Sequence, residues 1–246
     1  MTILYCGDPH GRFDHILQAA ARERATAVIL LGDMQTGRPL DEELAPMADK
    51  VWFIHGNHNT DSNEHWERLW QSPLAGRSLH GRVATLPDGT RIAGLGGVFR
   101  ESVWYPDPAA ARAGRPAFGS RAEHARLTPR PERWRGGPPR RHWSSIYPDE
   151  VDTLADLRAD ILVTHEAPGY HPKGFALLDT LAQSMGVKVA VHGHHHDALD
   201  SSSGWQTQGF KTYGVGLRCI TAIDPDGQAR VIVAGELDHA RSRRLR

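Results

Sequence analysis

Short, almost continuously apolar runs alternate along this chain with longer segments whose apolar side chains recur every three or four positions. Ile3 to Cys6, Ala27 to Leu31, Val51 to His55, Ile161 to Thr164 and Val187 to Val191 are runs of the first kind. Their length and apolar continuity predict strands buried on both faces. Phe13 to Arg22 sets Phe13, Ile16, Leu17 and Ala20 on one helical face, and Val151, Leu154, Ala155 and Leu157 form a second such face. A third helix is predicted over Gly174 to Met185 through Phe175, Leu178 and Leu181, closed by Gly186, which tolerates the positive φ of a helix end. Strands joined by helical crossovers predict an α/β protein, with these five runs in one sheet. Turn sequences at Pro87-Asp88-Gly89-Thr90 and Asp224-Pro225-Asp226-Gly227 add two hairpins, over Arg82 to Gly94 and Cys219 to Val233.

The pattern fails between about Arg100 and Trp143, where proline, glycine and arginine dominate. So long a stretch without periodicity is expected to be an insertion or a lid. Arg112, Arg115, Arg121, Arg126, Arg130, Arg133, Arg135, Arg140 and Arg141 make it basic. A flexible solvated segment is the first expectation. Guanidinium groups that grip substrate phosphates are the second. Arginine interleaved with Trp104, Tyr105, Phe118, Trp134 and Trp143 would also suit stacking on nucleotides or single strands.

Composition narrows the class. At 246 residues with 39% hydrophobic side chains, residues 1–246 are expected to form one globular domain. No run approaches the roughly 18 apolar residues of a membrane span, and the first residues lack a secretory pattern, so a cytoplasmic protein without membrane partners is expected. Cys6 and Cys219 each lie in an apolar run and read as reduced core thiols. A formal net charge of zero gives no broad footprint for long nucleic acid.

The chemistry lies just beyond the strands. Asp8 and His10, Asp33, Asn57 and His58, His165, and His194 and His196 each follow a predicted strand. In open α/β sheets, ligands gather outside the carboxyl ends of strands, so these loops can converge. Mixed carboxylate, imidazole and amide donors suit manganese, iron, zinc or nickel rather than calcium, and without clustered cysteines a structural zinc site is not expected. His165-Glu166 does not open a zincin helix, because Pro168 and Gly169 follow.

Asp8-Pro9-His10, Gly32-Asp33, Gly56-Asn57-His58, Thr164-His165 and Gly193-His194-His195-His196 occur in the order of the motifs of the calcineurin-like metallophosphoesterases, which the chain resembles over roughly residues 3 to 200. The resemblance implies a four-layer α/β/β/α sandwich of two mixed sheets flanked by helices. It also implies two divalent ions, manganese first and iron, zinc, nickel or magnesium as alternatives. Asp8, His10 and His196 would hold one ion, Asn57, His165 and His194 the other, and Asp33 would bridge them. His195 would point elsewhere. A bridging water or hydroxide would be the nucleophile, with Asp33 and His58 as catalytic groups, Asn57 and His58 in contact with substrate, and His58 near the leaving-group oxygen. The implied activity is hydrolysis of a small phosphorylated substrate, as phosphatase or phosphodiesterase. A nuclease acting on short or single-stranded nucleic acid is the alternative, and a non-catalytic scaffold ranks below both.

One position departs from the family pattern. Asn59 stands where an acidic residue usually orients the neighbouring histidine, and Asp61 is close enough in sequence to take over. His15, His55, His80, His124, His142, His171 and His192 read as surface or strand-flanking histidines.

Overall fold

The structure, a computed structural model, describes residues 2–224 and 226–238. Its first sheet has the order β10-β9-β1-β2-β3, from β1 (Ile3–Cys6), β2 (Ala27–Leu30), β3 (Val51–Phe53), β9 (Ile220–Ile223) and β10 (Ala229–Val233). The second has the order β4-β5-β6-β7-β8, from β4 (Arg82–Thr85), β5 (Arg91–Leu95), β6 (Ile161–Thr164), β7 (Val189–His192) and β8 (Lys211–Gly214). The helices are α1 (Asp14–Arg22), α2 (Leu40–Glu43), α3 (Asn63–Trp70), α4 (Arg121–Leu127), α5 (Pro148–Ala155), α6 (Ala176–Met185) and α7 (Trp205–Gln208). Gly186 closes α6 at φ 71°. Both hairpins form, β4 with β5 and β9 with β10, although Pro225 of the second turn lies outside the described residues.

The five apolar runs do not share one sheet: β1, β2 and β3 belong to the first, β6 and β7 to the second. Strand alternation explains how both sheets stay buried. Leu4, Cys6, Val28 and Leu30 face a core shared with Ile16 and Ala19 of α1. Ile3, Tyr5, Ala27 and Ile29 face the opposite way, against Ile161, Val163, Val189 and Val191 of the second sheet. Leu162 and Ala190 turn outward onto Val151 and Leu154 of α5 and Leu178 and Leu181 of α6. Three cores separate four layers: helix, sheet, sheet, helix.

β5 pairs antiparallel with β4 but parallel with β6, so one strand of the hairpin also belongs to the parallel core. All the strands that carry the candidate ligands are therefore parallel to a neighbour, β1 with β2 and β2 with β3, and β6 with β7.

The segment from Arg100 to Trp143 is ordered and fastened, contrary to the expectation of a flexible solvated stretch. It contains α4, and Trp143 and Trp134 set their rings edge-on to buried Trp66 of α3, with centroids 5.0 and 5.9 Å apart. Arg140 donates to the carbonyls of Thr60 (3.1 Å) and Asp61 (2.9 Å), and Arg121 to Glu150 (2.9 Å) and the Trp143 carbonyl. Phe118 stacks on the ring of His124 at 3.9 Å, so these aromatics pack internally instead of forming a stacking surface. Isolated aromatics and arginine–carbonyl bonds leave no apolar period to read, which is why the segment looked structureless. His55, His124 and His192, read as surface or strand-flanking, are buried.

Candidate metal centre

Each candidate ligand is carried on a tight turn just past its strand. Asp8, His10, Asp33, Gln35, His194 and His196 all have positive φ, between 36° and 68°. Non-glycine residues adopt that region at a cost of roughly 1–2 kcal/mol each and concentrate where a site over-determines them. Gly32 and Gly56 are needed for a different reason: a Cβ at either would collide with the ring of His165, and at Gly56 also with the Asp33 carboxylate. The glycines of Gly32-Asp33 and Gly56-Asn57-His58 thus let three loops approach one point.

Two groups of donors meet there. His10, Asp33 and His196 offer ligand atoms within 4.8 Å of one another, and so do Asp33, His165 and His194. Asp33 belongs to both. Nε2 of His10 lies 3.1 Å from Nε2 of His196, and Asp8 Oδ2 is 3.9 Å from His196 Nε2, which sets Asp8 beside the first group. Asn57 Oδ1 is 3.2 Å from His165 Nε2 and joins the second, and Asp33 Oδ2 is 3.4 Å from the same nitrogen. Backbone amides fix the acids: His58 N–H donates to Asp33 Oδ1 and His194 N–H to Asp8 Oδ2.

The imidazoles are oriented from behind. His10 Nδ1 lies 2.5 Å from Gln35 Oε1, and His165 Nδ1 lies 2.7 Å from the Leu31 carbonyl. Both partners accept, so each Nδ1–H donates backwards and each Nε2 is the atom turned to the cluster, an arrangement common among metal-binding histidines. His58 Nδ1 is 2.6 Å from Asp61 Oδ2. Asn59 is buried, and its side-chain oxygen instead accepts from the Gly56 amide at 2.8 Å. His195 stacks on His171, with centroids 4.1 Å apart.

The donor set fits cations. Asp8 is fully buried, and its Oδ1 has no hydrogen-bond partner among the described residues. Burial raises the Asp8 pKa, His165 opposes this, and the Asp33 carboxylate raises it further. For His165 burial works against the charged ring, but Asp33 and Asp8 override it and raise its pKa. Two carboxylates and a buried imidazole crowded this closely call for positive charge between them. His194 is held neutral, its pKa lowered to about 3 by burial and then by His165, as a metal ligand needs.

Gln35 and Glu166 escaped sequence reasoning. Glu166 is buried, its carboxyl raised to about 7 by burial, and it accepts from the Phe99 amide at 3.1 Å while lying 3.9 Å from His194 Nε2. Adjacency to His165 was its only sequence signal. Gln35 follows Asp33 by two residues with nothing to mark it.

Comparison with known proteins identifies the family. The profile of the calcineurin-like phosphoesterases matches residues 1–198, and the chain belongs to that family. An uncharacterized protein of Haemophilus influenzae is 41% identical over 220 residues, which cover 89% of this chain and 92% of that one. The crystal structure of TT1561 of Thermus thermophilus superposes with a TM-score of 0.55 at 14% identity, covering 94% of this chain and 97% of that one, a likeness of fold. Family membership supports metal-dependent hydrolysis of phosphoesters. No helix among the described residues is long and apolar enough to cross a membrane.

Proposed function

We propose that this chain hydrolyses small phosphate esters at a pair of divalent cations bridged by Asp33. The observation that carries this reading is the membership of Asp33 in both donor groups, three ligand atoms each within 4.8 Å. Asp8, His10 and His196 would hold one cation and Asn57, His165 and His194 the other. When bound, such a pair supplies Lewis acidity towards phosphoryl oxygens and lowers the pKa of the attacking water. The protein's own groups do the rest. Asn57 and His58 lie on one turn facing the substrate, and His58, held through Nδ1 by Asp61, turns Nε2 towards the departing alcohol oxygen to supply its proton. Water gains the phosphoryl group and the alcohol leaves protonated. Retention of every donor counts against a non-catalytic scaffold. The internal partners of Arg121, Arg135 and Arg140 count against a nuclease that tracks a nucleic-acid backbone with this segment.

The test is hydrolysis of p-nitrophenyl phosphate and bis-p-nitrophenyl phosphate by metal-stripped protein resupplied with manganese. Turnover should depend on metal and fall on the order of 10³-fold in Asp33→Asn, the scale of losing a central electrostatic stabiliser. Full activity in Asp33→Asn, or none in the wild type with two ions bound, would overturn the proposal.

A further inference from the structure

The loop that follows β5 lies beside the donor group of His165, His194 and Asn57. Phe99 N–H donates to Glu166 Oε1 beside His165, and Val98 is paired through its backbone with Ser144 and Ile146 at the end of the arginine-rich segment. Arg100 ends this loop with its side chain half-buried. Its Nη2 donates to Ser144 Oγ at 3.2 Å, and that hydroxyl lies 2.7 Å from Thr60 Oγ1 and 3.5 Å from the Asn57 carbonyl. The guanidinium is thus two hydrogen bonds from the turn that presents Asn57 and His58.

Among the described residues, its only side-chain hydrogen bond is to this neutral hydroxyl, and its buried Nε has no partner. Arg121, Arg135 and Arg140 each reach a carboxylate or several carbonyl and amide oxygens. A guanidinium partly withdrawn from water without a carboxylate partner is unfavourable. A bond to one serine, which already has Thr60, does not compensate. Burial lowers the proton affinity of Arg100, and the nearby Arg141 guanidinium lowers it further, while Glu166, Asp61 and Asp33 pull the other way. Arg100 therefore stands within the field of the site's carboxylates and beside a second cation.

We infer that Arg100, flanked by Arg141, grips the non-bridging oxygens of the substrate's phosphoryl group and selects monoesters over diesters. The inference rests on the hydrolase reading above and names the substrate class it leaves open. The planar guanidinium has N–H donors beyond the one that Nη2 gives to Ser144, and an anion would supply the acceptors that the protein does not. A monoester carries a charge of about −1.5 to −2 near neutral pH, and a diester carries one negative charge. A pair of guanidinium groups favours the former.

The experiment compares wild type, Arg100→Ala and Arg100→Lys, all loaded with manganese and checked for metal content and for fold by circular dichroism. In Arg100→Ala, kcat/KM for p-nitrophenyl phosphate should fall about 10- to 100-fold, the scale of a charge-assisted fork, with a much smaller change for bis-p-nitrophenyl phosphate. Inorganic phosphate should bind more weakly by a similar factor, measured calorimetrically, and Arg100→Lys should recover only part of both, because an ammonium lacks the fork. Equal losses on both esters, or phosphate affinity within twofold of wild type, would overturn the inference and leave the hydrolase reading standing. If the wild type hydrolyses neither ester, the hydrolase reading fails, and phosphate binding to wild type and Arg100→Lys still decides the role of Arg100.

Discussion

In the proposed reaction His58 is the side chain on which the leaving-group step would turn, and its partner is three residues on instead of next door. Asn59 fills the position of the usual acid but is buried as an acceptor for the Gly56 amide, while Asp61 Oδ2 takes up His58 Nδ1 at 2.6 Å. A carboxylate stabilises an imidazolium where a neutral amide only orients the ring. Asp61→Asn should therefore lower kcat by roughly 10- to 100-fold on an alkyl phosphate, whose alkoxide must be protonated as it leaves. The effect should be clearly smaller on p-nitrophenyl phosphate, whose leaving group is stable as an anion. Steady-state rates on the two esters check this. A loss that ignores the leaving group would mean that Asp61 merely supports the turn.

At the level of elements, the ligand-bearing strands were legible because each is a short apolar run ended by a glycine or a ligand. The split into two sheets was not, since strands buried on both faces look alike whichever sheet they enter. β8 (Lys211-Thr212-Tyr213-Gly214) was missed because, as a polar edge strand, it lacks apolar continuity. The candidate ligands could be picked out because each closely follows a strand, whereas Gln35, Glu166 and Arg100 take their places through contacts between distant segments. The fastening of α4 and α5 was equally invisible: His80 Nε2 lies 3.1 Å and Arg121 Nη2 2.9 Å from Glu150 Oε1, and Glu150 Oε2 accepts from the Tyr147 amide. Burial alone would raise the Glu150 carboxyl, but His80 and Arg121 override it and lower it to about 2. Because this lies below the ordinary value, the stabilisation is complete above about pH 4.5 and is lost as pH falls through about 2. Glu150→Gln should cost about 3 kcal/mol at pH 7, with the difference from wild type shrinking towards zero near pH 2. Urea unfolding across that range measures it, and a cost independent of pH would assign the effect to packing.

Across the whole molecule, the cations would tie the two sheets together. Asp8, His10, Asp33 and Asn57 follow strands of the first sheet, and His165, His194 and His196 follow strands of the second. Between the sheets lies a core of Ile3, Tyr5, Ile29, Val163 and Val191, whose apolar contacts are non-directional. Ligand bonds across the top of that core would add a directional constraint. A ligand that binds only the folded state stabilises it by about 2.7 kcal/mol at a hundred times its dissociation constant. For a chain of this size that corresponds to a rise in Tm of roughly 5–10 °C. Manganese at that excess should produce this rise in the wild type, and chelation should reverse it. Asp33→Asn removes a donor of the first sheet and His165→Ala one of the second, so both should lose most of the manganese-dependent increment, whatever their own baseline Tm. A full increment in either variant would mean that the cations are held from one sheet alone, and the two sheets would then depend on their apolar core for alignment.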